Sequence, residues 1–213
     1  MKNKTLLIFF IGHLALLCFL TGCFNFNKAY PEKHYFVLNV SRGKKPLLST
    51  SNAFLKIQRF RVSPQFEGKA FVYRKGNLNY ESDYYNEFFI SPGLMVTEEV
   101  EKWFAESGLF KYVMGASIPV EPTFKLEGTI NALYGDYSDI EAPKAVLGIQ
   151  FFFVRNLSSG PVIVFGKTYH EEILLKGHSP DALATGWNLA LERILTKLET
   201  NIKSLDLKEG KTG

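Results

Sequence analysis

Small or apolar residues alternate with polar ones along the middle of the chain. Phe124, Leu126, Gly128, Ile130, Ala132 and Tyr134 interleave with Lys125, Glu127, Thr129 and Asn131. A two-residue period predicts a half-buried strand. Residues 145–154 are apolar on both faces, as in a strand that is central or covered on both sides. A turn-rich stretch at 156–160 leads to a further strand over 162–175. Such short connections predict an antiparallel meander. Strand patterns also occupy 35–40, 54–62 and 70–74, with a basic loop at 41–51 and a turn at 64–68. Gly76-Asn77 is a turn signal that makes a hairpin of 70–74 and 78–81, and 109–113 returns as a strand.

Two segments change to a helical period. Ser91-Pro92 opens the first, with Ser as N-cap and Pro at the first helical position, where its missing N–H costs nothing. Val96, Val100, Trp103 and Phe104 share one face, and Glu98, Glu99, Glu101 and Lys102 fill the other. Acid in the first turns suits the helix dipole, and Gly108 supplies a stop. Ser179-Pro180 opens the second helix by the same device. Its stripe of Leu183, Trp187, Ala190, Leu191, Ile194, Leu198, Ile202 and Leu205 must pack on the sheet. The expected fold class is α/β, a mixed, largely antiparallel sheet with packed helices. One domain spans 35–205 and a charged tail 206–213. Trp103, Trp187 and Phe110 are expected in the core.

The start of the chain reads differently. Lys2 and Lys4 precede an apolar run over 6–20, and Leu20-Thr21-Gly22-Cys23 follows. A positive start, a short apolar run and small residues at a cut site describe a secretory signal. The run is short for a spanning helix, which needs roughly 20 apolar residues. Leu-Thr-Gly-Cys resembles the lipobox of bacterial lipoproteins. The resemblance implies cleavage of a signal peptide at 1–22, diacylglyceryl transfer to the Cys23 thiol and acylation of the new amine. Residues 23–34 then form a lipidated tether. Phe24 stands where an acidic residue is the usual inner-membrane retention cue, which points to the periplasmic face of the outer membrane.

Removing 22 residues from 213 leaves 191, enough for one domain with a real core. The whole chain carries a net charge of +4, half of it from Lys2 and Lys4. The remainder is close to balance, without the concentrated basic field of a nucleic-acid partner. Cys18 leaves with the signal and Cys23 is acylated, so no thiol remains for a disulfide or metal cage. Stability must come from packing, and the aromatic share is high at 15%.

Catalytic motifs fail on spacing. Gly166-Lys167-Thr168 invites a phosphate-loop reading, but position 161 is Pro, Gly160 is out of register, and the segment reads as strand. His170-Glu171-Glu172 with His178 invites a metal site, but adjacent strand residues point to opposite faces. Asp136 and Asp139, near Tyr134, Gly135 and Tyr137, read as a solvated turn. No Gly-x-Ser-x-Gly elbow occurs. The expectation is a protein that is not an enzyme and holds no metal or cofactor.

What stands out is a Tyr-rich stretch leading into the first helix: Tyr73-Arg74, Tyr80, Tyr84, Tyr85, Phe88 and Phe89, Ser91-Pro92, Trp103 and Ser107-Gly108-Leu109-Phe110. Tyr joins a large apolar body to a hydroxyl that needs a partner, so Tyr clusters favour interfaces. Tyr80, Tyr84 and Tyr85 fall outside clean periodic spacing, and both core and interface remain open for them. This order of residues resembles the ABC-type transport auxiliary lipoprotein family, which includes the paraquat-inducible protein C branch. In that family an aromatic residue before Pro is often Trp; here it is Phe. The resemblance implies a fold similar to TolB N-terminal and anticodon-binding-like domains. It also implies a non-catalytic docking or receiving subunit that helps move phospholipids or other hydrophobic molecules across the envelope. The implied partners are a mammalian-cell-entry domain protein, a permease, an ATPase and outer-membrane lipid through acylated Cys23; a homo-oligomer stays open. Tyr73, Tyr80, Tyr84, Tyr85 and Phe88 become the expected contact surface. The alternative is a structural or regulatory lipoprotein such as a cell-wall synthase activator. That group usually carries a long disordered linker, whereas the tether here reaches at most roughly 40 Å.

Overall fold

The computed structural model describes residues 32–43, 48–49 and 51–207. Cys23, the tether as far as residue 31 and the tail from 208 lie outside the described residues. Lys33–Gly213 form one compact unit, separate from Met1–Glu32. In chain order the described elements are β1 (His34–Phe36), β2 (Phe54–Ile57), β3 (Arg61–Val62), β4 (Ala70–Arg74) and β5 (Tyr80–Phe88). Then come α1 (Pro92–Ser107), β6 (Tyr112–Gly115), β7 (Phe124–Asp136), β8 (Lys144–Leu157), β9 (Gly160–Leu174) and α2 (Pro180–Lys203).

The alternating segments form the spine. β7 pairs with β8 and β8 with β9, both antiparallel and over most of their length, as the meander pattern predicts. The other edge of β7 takes three short parallel strands in succession. Leu55 of β2 lies opposite Phe124, Arg61 of β3 opposite Thr129, and Tyr73 of β4 opposite Gly135. β6 adds to β2 in parallel; β5 adds to β4 antiparallel and β1 to β5 in parallel. The sheet is therefore mixed and open: its long ladders are antiparallel and its short ones parallel.

Helix α2 packs on β8 and β9, α1 packs on β2, β3 and β6, and the two helices touch. Trp187 and Trp103 are both buried, as their stripes predict. The Trp187 ring meets Phe71 at 4.8 Å and Phe88 at 5.2 Å, and its Nε1 donates to the Val146 carbonyl at 3.2 Å. At the other end Phe124 stacks on Phe153 at 4.7 Å, with Phe110 against both. Trp103 does more than fill space: its Nε1 donates to Glu199 of α2 at 2.8 Å, and the same carboxylate takes a two-pronged bond from Arg42 at 2.7 and 2.9 Å. A guanidinium fork on a carboxylate is among the stronger ionic arrangements.

Several expected boundaries move, each for a local reason. The strand expected over 35–40 ends at Phe36. Beyond it the backbone amides of Leu38, Asn39 and Val40 donate to side chains of Met95, Asn188 and Glu99, so the helices take the place of a neighbouring strand. The strand expected over 54–62 breaks between β2 and β3. There the Phe60 amide turns away to Thr97 Oγ1 at 2.9 Å, and a Cβ on Gly93 would sit 2.7 Å from the Phe60 carbonyl oxygen. Only glycine permits that approach of helix to strand. β5 runs on to Phe88 instead of ending at 81, and β6 begins at Tyr112 rather than 109.

The helix ends also differ from each other. Ser179 caps α2 as expected, accepting from the Ala182 amide at 3.1 Å with Asp181 in the first turn. Ser91 precedes α1, but its side chain caps no amide, and the first turn carries no acid. The Ser91 hydroxyl instead accepts from Arg59 at 3.3 Å. Glu98, Glu99 and Glu101 lie one turn further on. Gly108 ends α1 at φ 71°, the left-handed conformation a glycine stop supplies.

Candidate docking surface on the β5 edge

The Tyr-rich stretch lies on β5, an outer strand whose partners are β4 on one side and, over Asn86 to Phe88 alone, β1 on the other. Its register against β4 shifts between Ala70 and Val72, and Asp83 holds the irregularity. One carboxylate oxygen of Asp83 accepts from the Tyr85 amide at 2.8 Å and the Asn86 amide at 3.0 Å. The other accepts from Tyr73 Oη at 2.7 Å and Asn86 Nδ2 at 2.8 Å. An Asp bonded to amides two and three residues ahead is a local turn device, and within a strand it makes a bulge.

Burial would raise the Asp83 carboxyl, but the bonds from Tyr73, Asn86 and the two amides outweigh it and hold it below the usual range. The Tyr73 hydroxyl is pushed up, by burial first and then by its bond to Asp83.

The bulge pushes two rings outward. Tyr84 is 72% exposed and Tyr85 39%, set edge-to-face at 5.1 Å. Lys33 lies over the Tyr84 ring at 5.1 Å and pairs with Glu87 at 3.5 Å. Tyr35 and Phe89 continue the patch, both exposed and edge-to-face at 6.0 Å. Lys33, just before β1, thus lies beside the Tyr84–Tyr85 pair.

The five residues expected to share a contact surface separate into three settings. Tyr84 and Tyr85 are outward. Tyr80 is 45% exposed, but its ring leans on Tyr134 at 5.5 Å and Phe66 at 6.4 Å. Tyr73 is half-buried, spent on Asp83 and packed against Tyr137 at 5.4 Å. Phe88 is a correction: it is 2% exposed and lies in the core against Phe71 and Trp187, so the folded domain does not offer it to a partner. The bulge accounts for the split, since it turns Tyr84 and Tyr85 out before the strand resumes and points Phe88 inward. Asp83, which organises the edge, was not singled out from sequence. Its signal was the Asp-x-x-Asn spacing to Asn86, which suits a local turn.

A second correction concerns Asp136. It does not sit in a solvated turn but ends β7 and pairs with Arg74 of β4, whose guanidinium lies over the Tyr134 ring at 5.2 Å. Burial alone would raise this carboxyl; the bonds from Arg74 and Ser138 outweigh it and bring it down to about 2. Asp139 does serve a turn, accepting from the Glu141 amide at 3.0 Å. On β9, His170 and Glu172 share a face while Glu171 points to α2, where it meets Lys197 and Arg193. Among the described residues no three His, Cys, Asp or Glu side chains gather closely enough to hold a metal. Gly166 to Thr168 lie inside β9. No helix of the described residues is long and apolar enough to cross a membrane.

No family model matches the sequence, and no curated protein matches it in sequence. Solved structures do match in fold. A Xanthomonas campestris protein of the DUF330 family aligns with TM-score 0.69 at 15% identity, over 78% of this chain and 92% of its own. An uncharacterised protein aligns with TM-score 0.60 at 14% identity, over 80% of this chain and 99% of its own. A hypothetical protein of Chlamydia trachomatis aligns with TM-score 0.52 at 9% identity, over 72% and 96%. At these identities the likeness is one of fold.

Proposed function

We propose that this chain is a lipid-anchored envelope protein that serves an ABC-type transport system as a non-catalytic docking or receiving subunit. It is held by acylated Cys23 at the periplasmic face of the outer membrane. It helps move phospholipids or other hydrophobic molecules, beside a mammalian-cell-entry domain protein, a permease and an ATPase. The observation that carries the reading is the ordered residue set Tyr73-Arg74, Tyr80, Pro92, Trp103 and Ser107 to Phe110. Its members occupy β4, β5, α1 and the segment just after it, as one consecutive unit. The lipobox supports the anchor, and the fold shared with a DUF330 protein is consistent with the resemblance.

The contact surface is Tyr84 and Tyr85, with Tyr80 at its margin. Tyr presents large area with few rotatable bonds and a hydroxyl that tolerates water, which suits a docking patch. A short tether keeps that patch at its own membrane and raises the local concentration of a partner there. Photocrosslinking from positions 84 and 85 in intact cells tests this. The expected product is a crosslink to a mammalian-cell-entry domain protein, and in otherwise native chains Tyr84→Ala and Tyr85→Ala should weaken binding of that partner while the domain stays folded. Crosslinks to a cell-wall synthase instead would move the protein to the structural or regulatory class. No crosslink from either position, with the domain folded, removes this surface from the proposal.

A further inference from the structure

The arginines of this fold divide into two groups. Arg42 pairs with Glu199, Arg74 with Asp136 and Arg193 with Glu171. Arg155 donates to the Asp206 carbonyl and lies over the Phe124 ring. Arg59 and Arg61 differ: among the described residues neither has a carboxylate within ion-pairing distance. Both line one open cavity of about 530 Å³.

The backbone builds that cavity. Phe60, in the break between β2 and β3, is clamped. Its amide is bonded to Thr97, and its carbonyl lies against Gly93. The clamp holds the strand break against the start of α1, and Arg59 and Arg61 line one hollow there. Ser91 and Val62 complete its wall, and Glu67 supplies its single carboxylate. The Ser91 hydroxyl is engaged by Arg59 instead of closing the helix end.

We infer that this cavity binds a phosphate group. Two guanidinium forks offer more donors than one carboxylate ligand can accept, and the oxygens of a phosphate match that geometry. Gly93, in the uncapped first turn of α1, also lines the hollow, where the helix dipole favours an anion. The hollow is open, so a phosphate that carries an ester substituent can enter as readily as the free ion. A lipid headgroup and a free phosphate share this chemistry. The site does not depend on the transport reading, and its failure leaves that reading untouched.

The test is titration of the purified full-length chain with inorganic phosphate and, separately, with a short-chain phosphatidylglycerol below its micelle concentration. Saturable binding is expected. Arg59→Gln combined with Arg61→Gln should weaken it by more than about tenfold, because charge-assisted bonds are lost. Lys56→Gln with Lys125→Gln removes the same charge elsewhere on the sheet and should leave binding unchanged. Glu67→Gln should tighten it severalfold, a gain that a damaged fold does not produce. Lipid binding at least about tenfold tighter than phosphate identifies a headgroup as the source; equal affinities identify the free ion. The inference is overturned if the wild-type chain binds neither probe, if the lysine control weakens binding as much as the arginine pair, or if Glu67→Gln has no effect.

Discussion

Tyr73 of β4 donates its hydroxyl to Asp83 of β5 at 2.7 Å, across the place where the register of the two strands breaks. The bond ties the interior side of the hairpin to the carboxylate that shapes its exposed edge.

The first prediction follows from that tie. Tyr73→Phe removes one bond to a charged acceptor and should cost about 1.5–3 kcal/mol in chemical denaturation. Asp83→Ala should cost at least as much, because two amides and Asn86 lose their acceptor as well. The double variant should be less destabilised than the sum of the two, since both changes remove the same bond. Strict additivity would show that the pair does not interact in solution.

The second concerns acid. Asp136 is held at about 2 against an ordinary 3.8. A carboxyl whose folded value is depressed contributes stability that is present above its unfolded value and lost as pH falls through the folded one. Asp83, also held low, acts in the same direction. Stability should therefore decline between about pH 4 and pH 2. Asp136→Asn should start less stable at neutral pH and decline less steeply over that window. Parallel acid curves for the two proteins would remove Asp136 as a source of the slope.

The third concerns the two tryptophans. Trp187→Ala empties the junction of Phe71, Phe88 and α2 and should cost about 3–5 kcal/mol. Trp103→Phe keeps most of the volume but leaves Glu199 without its indole donor, and should cost about 1–3 kcal/mol. Native fluorescence should be blue-shifted, and should move red on unfolding. Emission already at the solvent position before unfolding would contradict the burial of both rings.

The fourth concerns Cys23. Intact mass of the purified protein should show a chain beginning at Cys23 with added acyl mass, and Cys23→Ser should leave an unprocessed precursor. A purified chain that retains residues 1–22, or begins at Cys23 without added mass, would refute lipidation.

The parts of the fold readable from sequence are those with an uninterrupted period. β7 and the apolar stripes of both helices repeat every two or every 3.6 residues because each buries one face, and β8 was legible as an apolar run covered on both faces. The stretch at 80–88 was harder. Its period is broken by Asp83, a side chain that bonds its own backbone, so the outward rings of Tyr84 and Tyr85 and the inward ring of Phe88 looked alike. Leu38 to Val40 read as a continuation of the strand that starts at Tyr35, yet their amides go to Met95, Asn188 and Glu99, distant partners that no local pattern announces. Arg74 and Asp136 are separated by 62 residues, and only the parallel pairing of β4 with β7 brings them together. The hollow beside Arg59 and Arg61 arises from the close approach of Gly93 to Phe60, a contact between segments that the local pattern does not connect.

The single edge of β7 that receives β2, β3 and β4 has a consequence for the order of assembly. Among the described residues, β2 and β3 have no lateral partner in the segments that precede or immediately follow them; both wait for β7, and β2 also for β6. Closing such long segments costs entropy before any contact repays it, whereas β7, β8 and β9 join through short turns. The meander is therefore the natural early structure, and the strands made first are among the last to find their places. A chain emerging from its N-terminus must keep β2 and β3 open until β7 arrives, so the half of the sheet that carries the tyrosine edge is completed on a template supplied by the other half.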